Sequence, residues 1–510
     1  MREVNHPADG EIIRYTRRRV LTSLTMLSGA AAFSSLTLAC SGAKVQDRPA
    51  AEVTSSAPPI PSGGTPAPAP AGATAADAAR QRYLIDVFET NFGEQMRAQP
   101  KAWRGKFRKM ASGTFPFYRG SAAVYYTDLA GEGADPFVTT ESSRVWIQGD
   151  LHGDNFGTFL DSTGRLVFDV NDFDEAYVGP YTWDVRRFAT SMALVGYDQS
   201  LADDQIRDLI AAFVNSYTAQ VNRFATGQDD RNFALTLENA EGVVLDVLRT
   251  ARRQTREGLL DGLTEVVDGE RRFVRNDVNS SVDDKTRSAL EATFASYLKV
   301  IPEQTRRQER DYRIKDSTAT QGFGIGSAGL RMFSLLLEGS DETLDNDVIL
   351  AVKQSRPSAV AIAVKDQNIK DAFSNQGQRV ATARRAMQVN ADPWLGYSEF
   401  EGAGMLVSEV SPYGASPQWS DIKNFDDVRS LVKDLGRVVA KIHCVADKGS
   451  DQKLVTGPSD KAILASFAGK EGQFVTAIAD WAQAYAVKTR TDHRLFADAF
   501  RNREFPSLGS

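Results

Sequence analysis

The most informative stretch of this chain is Gln148-Gly-Asp-Leu-His-Gly-Asp-Asn-Phe-Gly157. It follows an apolar run, Arg144 to Gln148, that predicts a short strand. A second predicted strand, Arg165 to Val170, leads into another acidic segment, Asp169 to Glu175. The turn-forming residues 161–164 predict that these two strands are joined as a hairpin. We therefore expect the two acidic segments to lie close together.

The residue types in these segments are those of a magnesium–phosphate site. Asp150, Asn155 and Asp172 offer hard oxygen atoms, and substrate and water can complete the shell of Mg²⁺. A loop carboxylate more often caps a helix or makes a turn. The segments together carry five acids, however, whose repulsion is costly unless a cation or hydrogen bonds relieve it. These acids are Asp150, Asp154, Asp172, Asp174 and Glu175.

A second candidate segment, Gly324-Ile-Gly-Ser-Ala-Gly329, fits the pattern G-x-G-x-x-G. Two predicted strands follow it, Met332 to Glu338 and Val348 to Lys353, where a dinucleotide-binding fold would have a helix. A glycine loop between strands is typical of the hairpin that covers the phosphates in kinase-like proteins. Lys353 ends an apolar run, where an ammonium group is costly unless it meets anions. The alternative is a surface turn with a lysine that reaches solvent.

The composition excludes several classes of protein. The 510 residues are 42% hydrophobic and 25% charged, which is ordinary globular usage. The net charge of −6 makes nucleic acid an unexpected partner. With 2 Cys and 4 His, neither a Cys/His zinc module nor a disulfide scaffold is expected.

The first 39 residues have the layout of an export signal. Basic residues 17–19 lead into an uncharged apolar stretch, residues 20–39, which ends at Cys40. The basic part resembles a twin-arginine signal, and the sequence before Cys40 resembles a lipobox. We expect an exported chain that is attached to a membrane outside the cytoplasm through lipid on Cys40. The alternative is a membrane anchor or an ordinary signal peptide. Residues 40–80 are rich in Pro, Ala, Ser and Gly, and predict a tether, with the folded body beginning near Gln81.

The rest of the chain predicts an α+β protein with large helical content. The segment from Phe115 to Gly120 is expected to be a loop, and residues 181–311 are expected to be mostly helical. Gly404 to Val410 predicts a further strand. The other predicted helices are Arg82 to Met96, Gln376 to Val389, Val428 to Ala446 and Ala462 to Phe500.

Seven motifs occur in a characteristic order. They are Phe117-Tyr-Arg-Gly120, Gly149-Asp-Leu-His-Gly-Asp-Asn-Phe-Gly157, Val170-Asn-Asp-Phe-Asp-Glu175, Trp183-Asp-Val-Arg-Arg187, Gly324-Ile-Gly-Ser-Ala-Gly329, Val352-Lys353 and Gly377-Gln-Arg-Val380. Over residues 81–450 the chain resembles the bacterial domain-of-unknown-function family 2252 (DUF2252). That family looks like a relative of protein-kinase-like and aminoglycoside-phosphotransferase folds.

The resemblance implies a two-lobed kinase-like fold with named catalytic and metal-binding residues. Asp150 would be the catalytic base, with His152 beside it in the same motif. Asn155, Asp172 and Asp174 would bind Mg²⁺, with Asp172 as the principal ligand.

The same resemblance implies a nucleotide site in the smaller lobe. Gly324, Gly326 and Gly329 would cover the phosphates of ATP or another nucleotide, and Lys353 would contact them. Asp184 is similar to a later Asp that braces the catalytic loop.

The chain departs from the kinase-like pattern in three ways. The catalytic loop precedes the glycine loop, which implies a circular permutation. Gln148 stands where the phosphotransferase motif has His. The predicted helix Gln376 to Val389 contains no Glu to pair with Lys353.

These features predict a division of the chain into five parts. They are a signal peptide at 1–39, a tether at 40–80, a helical lobe with both acidic motifs at 81–320, a strand-rich lobe at 321–415 and C-terminal helices at 416–510.

Three functions remain open from the sequence. The first is a Mg²⁺-dependent phosphoryl or nucleotidyl transfer to an unknown small-molecule or protein acceptor. The second is a non-catalytic binding lipoprotein with a kinase-like cleft. The third is a metal-dependent phosphoester hydrolase. Because no ATP pool is expected outside the cytoplasmic membrane, the phosphoryl donor is part of the question.

Overall fold

The computed structural model describes residues 74–276, 278–301, 312–320, 328–450 and 452–509. The predicted signal peptide, Cys40, most of the predicted tether, Gly324 and Gly326 lie outside the described residues.

The helices form the larger part of the fold. In chain order they are α1 Ala75–Ala98, α2 Pro100–Ala111, α3 Thr114–Gly120, α4 Ala122–Ala130, α5 Tyr181–Asp198, α6 Asp203–Ala225, α7 Gly242–Arg252, α8 Arg256–Leu263, α9 Asp284–Tyr297, α10 Gln367–Lys370, α11 Gln376–Gln388, α12 Phe425–Val445, α13 Ser459–Phe467 and α14 Glu471–Arg501. The amphipathic helices α5, α6, α12 and α14 pack side by side and bury their apolar faces in the main core.

The strands are shorter, and some of them pair in small hairpins. They are β1 Val145–Ile147, β2 Phe156–Leu160, β3 Leu166–Val170, β4 Tyr177–Gly179, β5 Thr264–Val267, β6 Glu270–Phe273, β7 Asn279–Ser281, β8 Ile314–Thr320, β9 Met332–Leu337, β10 Val348–Gln354, β11 Gly396–Phe400 and β12 Ala403–Glu409.

An antiparallel sheet of six strands, ordered β11-β12-β10-β9-β8-β7, forms the second part of the fold. In β10, Lys353 lies opposite Met332 of β9 and Leu406 of β12. The segment that contains the glycine motif connects β8 to β9, so its last residues lie beside the Lys353 end of β10. The helix α9 and the side chain of Trp394 cover one face of this sheet, and α11 packs against β11 and β12. Lys353, which the sequence predicted to meet anions, therefore lies in a strand of this sheet that has a neighbour on each side.

The α+β prediction is confirmed, whereas the predicted hairpin is wrong. The turn at residues 161–164 joins β3 to β2, and β1 instead pairs with β4. The error arose because Phe156–Leu160 was not recognised as a strand, although its first four residues are buried. The acidic stretch is therefore the connection from β1 to β2.

Other local predictions also need correction. Phe115–Gly120 belongs to α3, where Gly113 begins the helix and Pro116 is tolerated in the first turn. The body is already helical at Ala75, because Thr74 and Asp77 form a capping box. A hairpin, β5–β6, interrupts the region that was predicted as helical.

The boundary predicted at residue 321 falls inside the sheet, because β7 and β8 precede it and belong to the same sheet. No helix within the described ranges is long and apolar enough to cross a bilayer.

Candidate functional site

The two acidic segments lie together at one end of two small antiparallel pairs. Ile147, the last residue of β1, faces Tyr177 at the start of β4. Phe156, the first residue of β2, faces Val170 at the end of β3. The β1–β2 connection and the β3–β4 connection therefore leave the strands at the same place. The backbone N–H of Asn171 donates to the carbonyl of Asn155 at 3.0 Å and ties the two connections together.

Gln148 links the two acidic segments directly. Its Nε2 donates to the carbonyl of Asp172 at 2.8 Å, and its Oε1 accepts from the backbone N–H of Asp150 at 2.8 Å. A primary amide can donate and accept at once in its single uncharged state. The glutamine at this position therefore holds the Asp150 loop against the Asp172 loop.

Gly149 allows these two backbones to approach closely. Its φ is +87°, and a Cβ atom at this position would lie 2.3 Å from the carbonyl oxygen of Glu175. Any larger residue would therefore be strained by its backbone and by contact with the opposite segment.

Asp184, near the start of α5, braces the beginning of the Asp150 loop. Its carboxylate accepts from the backbone N–H of Gln148 at 2.6 Å and of Gly149 at 2.9 Å. Nε2 of His443 lies 3.2 Å from the same carboxylate, and Nδ1 of His443 is hydrogen-bonded to the hydroxyl of Tyr217 at 3.0 Å. The carboxylate is fully buried. Its hydrogen bonds to the loop and its contact with His443 hold it from both sides.

Asp150 is held by an arginine that the sequence analysis did not single out. Nε of Arg187 donates to Oδ1 of Asp150 at 2.8 Å, and its Nη2 donates to the same oxygen. The Arg187 side chain is fully buried and lies over the rings of Tyr118 and Tyr125, at 4.3 and 4.7 Å from their centroids. Within the described ranges, Oδ2 of Asp150 has no hydrogen bond and is the atom left to face a ligand. Burial raises the pKa of Asp150 to about 6, with Arg187 acting against the rise.

Asp172 and Asp174 meet the lysine of the sheet. Nζ of Lys353 donates to Oδ2 of Asp174. Burial, with the charge of Asp174 as a second cause, raises the pKa of Asp172 to about 7. Oδ1 of Asp172 accepts from the backbone N–H of Asp174 at 3.1 Å. The lysine that lacked a glutamate in the sequence thus has an aspartate from the acidic segment as its partner.

Arg379 of α11 holds the backbone of the same segment. This fully buried guanidinium donates to the carbonyls of Asp174, at 2.8 Å, and Ala176, and to that of Arg356 at 2.9 Å. Its Nε donates to the side chain of Gln376 at 2.8 Å. Helix α11, which contains no glutamate to pair with Lys353, therefore supplies a cation instead. This cation holds the acidic segment against the chain that follows β10.

The site opens into a small, partly open cleft. Asp150, Asp172 and Asp174 share its wall with aromatic, cationic and small residues. The remaining lining residues are Phe92, Arg119, Gly120, Ala122, Ala123, Gln148, Glu175, Arg356 and Ala359.

Two of the predicted residues lie beside the cleft but do not line it. His152 is buried, packs edge-on against the ring of Phe115, and accepts weakly from the N–H of Asp154. Burial lowers the pKa of His152 well below its usual range. Asn155 is also buried, and its Nδ2 donates to the carbonyl of Asp150 at 3.0 Å.

Gly329 lies on the side of the cleft formed by α1 and α2. It has a φ of +75°, and its carbonyl accepts from Nε2 of Gln99 at 2.7 Å. It is the described glycine of the motif predicted to cover phosphates.

The donor set suits a magnesium ion that also binds substrate oxygens. Within the described ranges, no group of three His, Cys, Asp or Glu side chains is placed to hold a metal ion. Mg²⁺ usually takes one or two carboxylates and completes its shell with phosphate oxygens and water. Asp172 and the oxygen of Asp174 that does not meet Lys353 provide such a pair. The third predicted ligand, Asn155, does not line the cleft, and its Nδ2 is used on the carbonyl of Asp150.

Most of the cations of the site were not predicted to act there. Arg187 and Arg379 were present in the quoted motifs, and Arg119 also lies in one of them. Arg119 donates to the carboxylate of Asp154 at 2.8 Å. A buried arginine is unusual in a globular protein, so Arg187 within the largely apolar sequence of α5 is the one position whose sequence carried a signal.

Fold and site together define an α+β protein whose antiparallel sheet brings a lysine to an acidic, arginine-braced cleft of a helical body. The family described as "Uncharacterized protein conserved in bacteria (DUF2252)" matches residues 97–499. The chain belongs to this family. No curated protein and no solved structure matches the chain.

Proposed function

We propose that this chain is a kinase-like, Mg²⁺-dependent transferase that moves a phosphoryl or nucleotidyl group to an acceptor. The observation that carries the proposal is the meeting of Asp150, Asp172 and Asp174 at one cleft, with Lys353 of the sheet bonded to Asp174. The order of these elements also supports a circularly permuted relative of the kinase fold, as an inference from the family resemblance.

In this proposal each residue has a chemical task. Oδ2 of Asp150 accepts the proton of an acceptor hydroxyl, while Arg187 keeps the carboxyl oriented. Asp172 and Asp174, with Asn155, would hold Mg²⁺, whose charge would offset that of the phosphates. Lys353, which is bonded to Asp174, would contact the phosphates. By the family resemblance, Gly324, Gly326 and Gly329 would have the role of covering these phosphates.

A second candidate is a binding protein without turnover, and one observation favours it. The proposed base is paired with Arg187, and the proposed metal ligand Asp174 is paired with Lys353. Both carboxylates thus have an internal cation, as they would in a cleft that holds a charged ligand without reacting. A phosphoester hydrolase built on the same acids remains an outcome of the test.

The experiment that tests the proposal measures thermal unfolding with ATP plus Mg²⁺, and then turnover. A ligand at 100 times its Kd should stabilise the protein by about 2.7 kcal/mol. We expect this shift to require Mg²⁺ and to disappear in Asp172→Asn, while Asp150→Asn keeps the shift and loses transfer. A shift without transfer in the wild type would support the binding protein. Phosphate release without a nucleotide would support the hydrolase.

We also propose that residues 1–39 export the chain and that Cys40 carries lipid. Labelling of cells with a radioactive fatty acid should mark the wild type and leave Cys40→Ser unlabelled. If the chain works outside the cytoplasm, its donor is a scarce nucleotide or a different phosphoryl compound. Equal labelling of both proteins would contradict the lipid anchor.

A further inference from the structure

Lys106 in α2 is a buried cation that has no anionic partner among the described residues. Its residue is 2% exposed, and its Nζ lies 4.7 Å from the ring centroid of Trp103 and 5.4 Å from that of Phe92. Among the residues that the structure describes, no hydrogen bond or ion pair reaches its ammonium group. Burying an ammonium group is costly unless an anion compensates it. The aromatic rings supply part of that compensation, but they leave its three N–H donors unused.

Arg356 is a second cation on the same wall. It follows β10, and its guanidinium lies 5.5 Å from the centroid of the same Phe92 ring. Its ion pair with Glu175 is long, at 3.6 Å, and its Nη1 is buried with no partner in the described part of the chain. Phe92 therefore has two incompletely paired cations over it.

Arg356 lines the cleft of the candidate site, and Lys106 contacts the ring of Phe92, which also lines it. Phe92 and Arg356 line the cleft together with Asp150, Asp172 and Asp174. Burial lowers the pKa of Lys106 well below its usual range, and the charge of Arg356 lowers it further, while Glu175 and Asp150 oppose the change. The charges of the two cations thus repel each other beside the cleft, and an incoming anion would relieve this repulsion.

We propose that Lys106 and Arg356 form an oxyanion subsite on the α1–α2 wall of the cleft and bind a phosphate group of the substrate. A guanidinium matches a phosphate with two parallel N–H groups, and an ammonium adds a compact charge. The proposal rests on the proposed function in assigning this phosphate to the transfer reaction. The phosphate belongs either to the nucleotide donor or to a phosphorylated acceptor.

The test uses the full-length chain and isothermal titration calorimetry. The probes are inorganic phosphate and pyrophosphate without Mg²⁺, and ATP with Mg²⁺. Lys106→Met is the main variant, and Lys106→Arg keeps the charge. Lys101→Met is the matched control, because Lys101 is an exposed lysine of the same helix. Thermal unfolding without any anion should show that Lys106→Met is at least as stable as the wild type, because methionine fills a similar volume without an unpaired charge.

We expect Lys106→Met to weaken the binding of phosphate or pyrophosphate about tenfold or more. Lys106→Arg should recover part of this loss, and Lys101→Met should bind as the wild type does. A loss with both pyrophosphate and ATP assigns the subsite to the donor, whereas a loss with inorganic phosphate alone assigns it to a phosphorylated acceptor. Equal binding by Lys106→Met and the wild type, or no binding of any probe to the wild type, would overturn the proposal.

Asp172→Asn separates this proposal from the proposed function. In that variant, phosphate without Mg²⁺ should bind as in the wild type, because the subsite does not use the metal ligands. If phosphate binding depends on Lys106 while ATP with Mg²⁺ has no effect on any protein, the subsite stands and the transferase fails. If ATP with Mg²⁺ binds and is turned over equally in Lys106→Met, the transferase stands and the subsite fails.

Discussion

Replacing Arg187 by Met should destabilise the protein and should do so in a pH-dependent way. The change leaves Asp150, whose side chain is 18% exposed, as a largely buried carboxylate without its cation. Breaking a buried ion pair by removing one partner costs about 3–5 kcal/mol. Replacing both partners, in Arg187→Met/Asp150→Leu, should cost far less, because apolar side chains of similar size leave no unpaired charge. The double-mutant cycle should therefore give a coupling of about 3 kcal/mol.

The pH dependence follows from the pKa of Asp150. Burial raises it from an ordinary value of 3.8 to about 6, so the folded chain keeps a proton that the unfolded chain has lost. Stability from this group is therefore greatest at low pH and falls as pH rises from about 4 to about 6. Without Arg187, which lowers this pKa, the fall should continue to higher pH. The cost of Arg187→Met should thus be smaller at about pH 5 than at about pH 8.

The assay is urea unfolding of the wild type, both single variants and the double variant at these two pH values. Arg187→Lys is the control for charge without the two-pronged geometry, and it should fall between the wild type and Arg187→Met. Additive costs in the double variant would mean that the two side chains do not interact. A cost of Arg187→Met that is the same at both pH values would refute the assignment of the raised pKa to Asp150.

Further predictions concern the loop and the lysine. Asp184→Asn should lower the free energy of unfolding by about 2–4 kcal/mol in urea, because the amide has one oxygen where the carboxylate uses two. Asp480→Asn, at an exposed position, should lower it by about 1 kcal/mol or less. Equal losses would contradict this role of Asp184. Gly149→Ala should cost about 2–4 kcal/mol through strain and overlap, against about 1 kcal/mol for Gly164→Ala, whose φ is also positive but whose Cβ would meet nothing within 4 Å. Lys353→Met should weaken ATP binding with Mg²⁺ about tenfold or more in calorimetry, and an unchanged affinity would exclude contact with the phosphates.

Most of the strands and helices with clear periodicity could be predicted from sequence. Helix α12 and strands β9, β10 and β12 lie within a few residues of their predicted bounds, because long apolar patterns dominate local propensity. The strand β2 was missed because Phe-Gly-Thr-Phe-Leu lacks a clear alternation and contains a glycine. Because β3 pairs with β2, β1 pairs with β4 instead of with β3.

The acidic residues of the site could be predicted from the sequence, because the residue type alone identifies a carboxylate. The cation that pairs with each carboxylate could not be predicted. Asp150 and Arg187 are 37 positions apart, and Lys353 and Asp174 are 179 apart. His152 is the opposite case. Its motif predicted a catalytic role, whereas the structure buries its side chain.

The sequence by itself determined the α+β class, the acidic segments and the family resemblance, because these depend on residue type and short-range spacing. Only the tertiary structure decided which cation meets which carboxylate, that α11 clamps the acidic segment with Arg379, and that Lys106 lies beside the cleft. The physical reason is that a buried charge is stabilised by partners fixed through chain packing, and packing brings together residues that no local pattern connects.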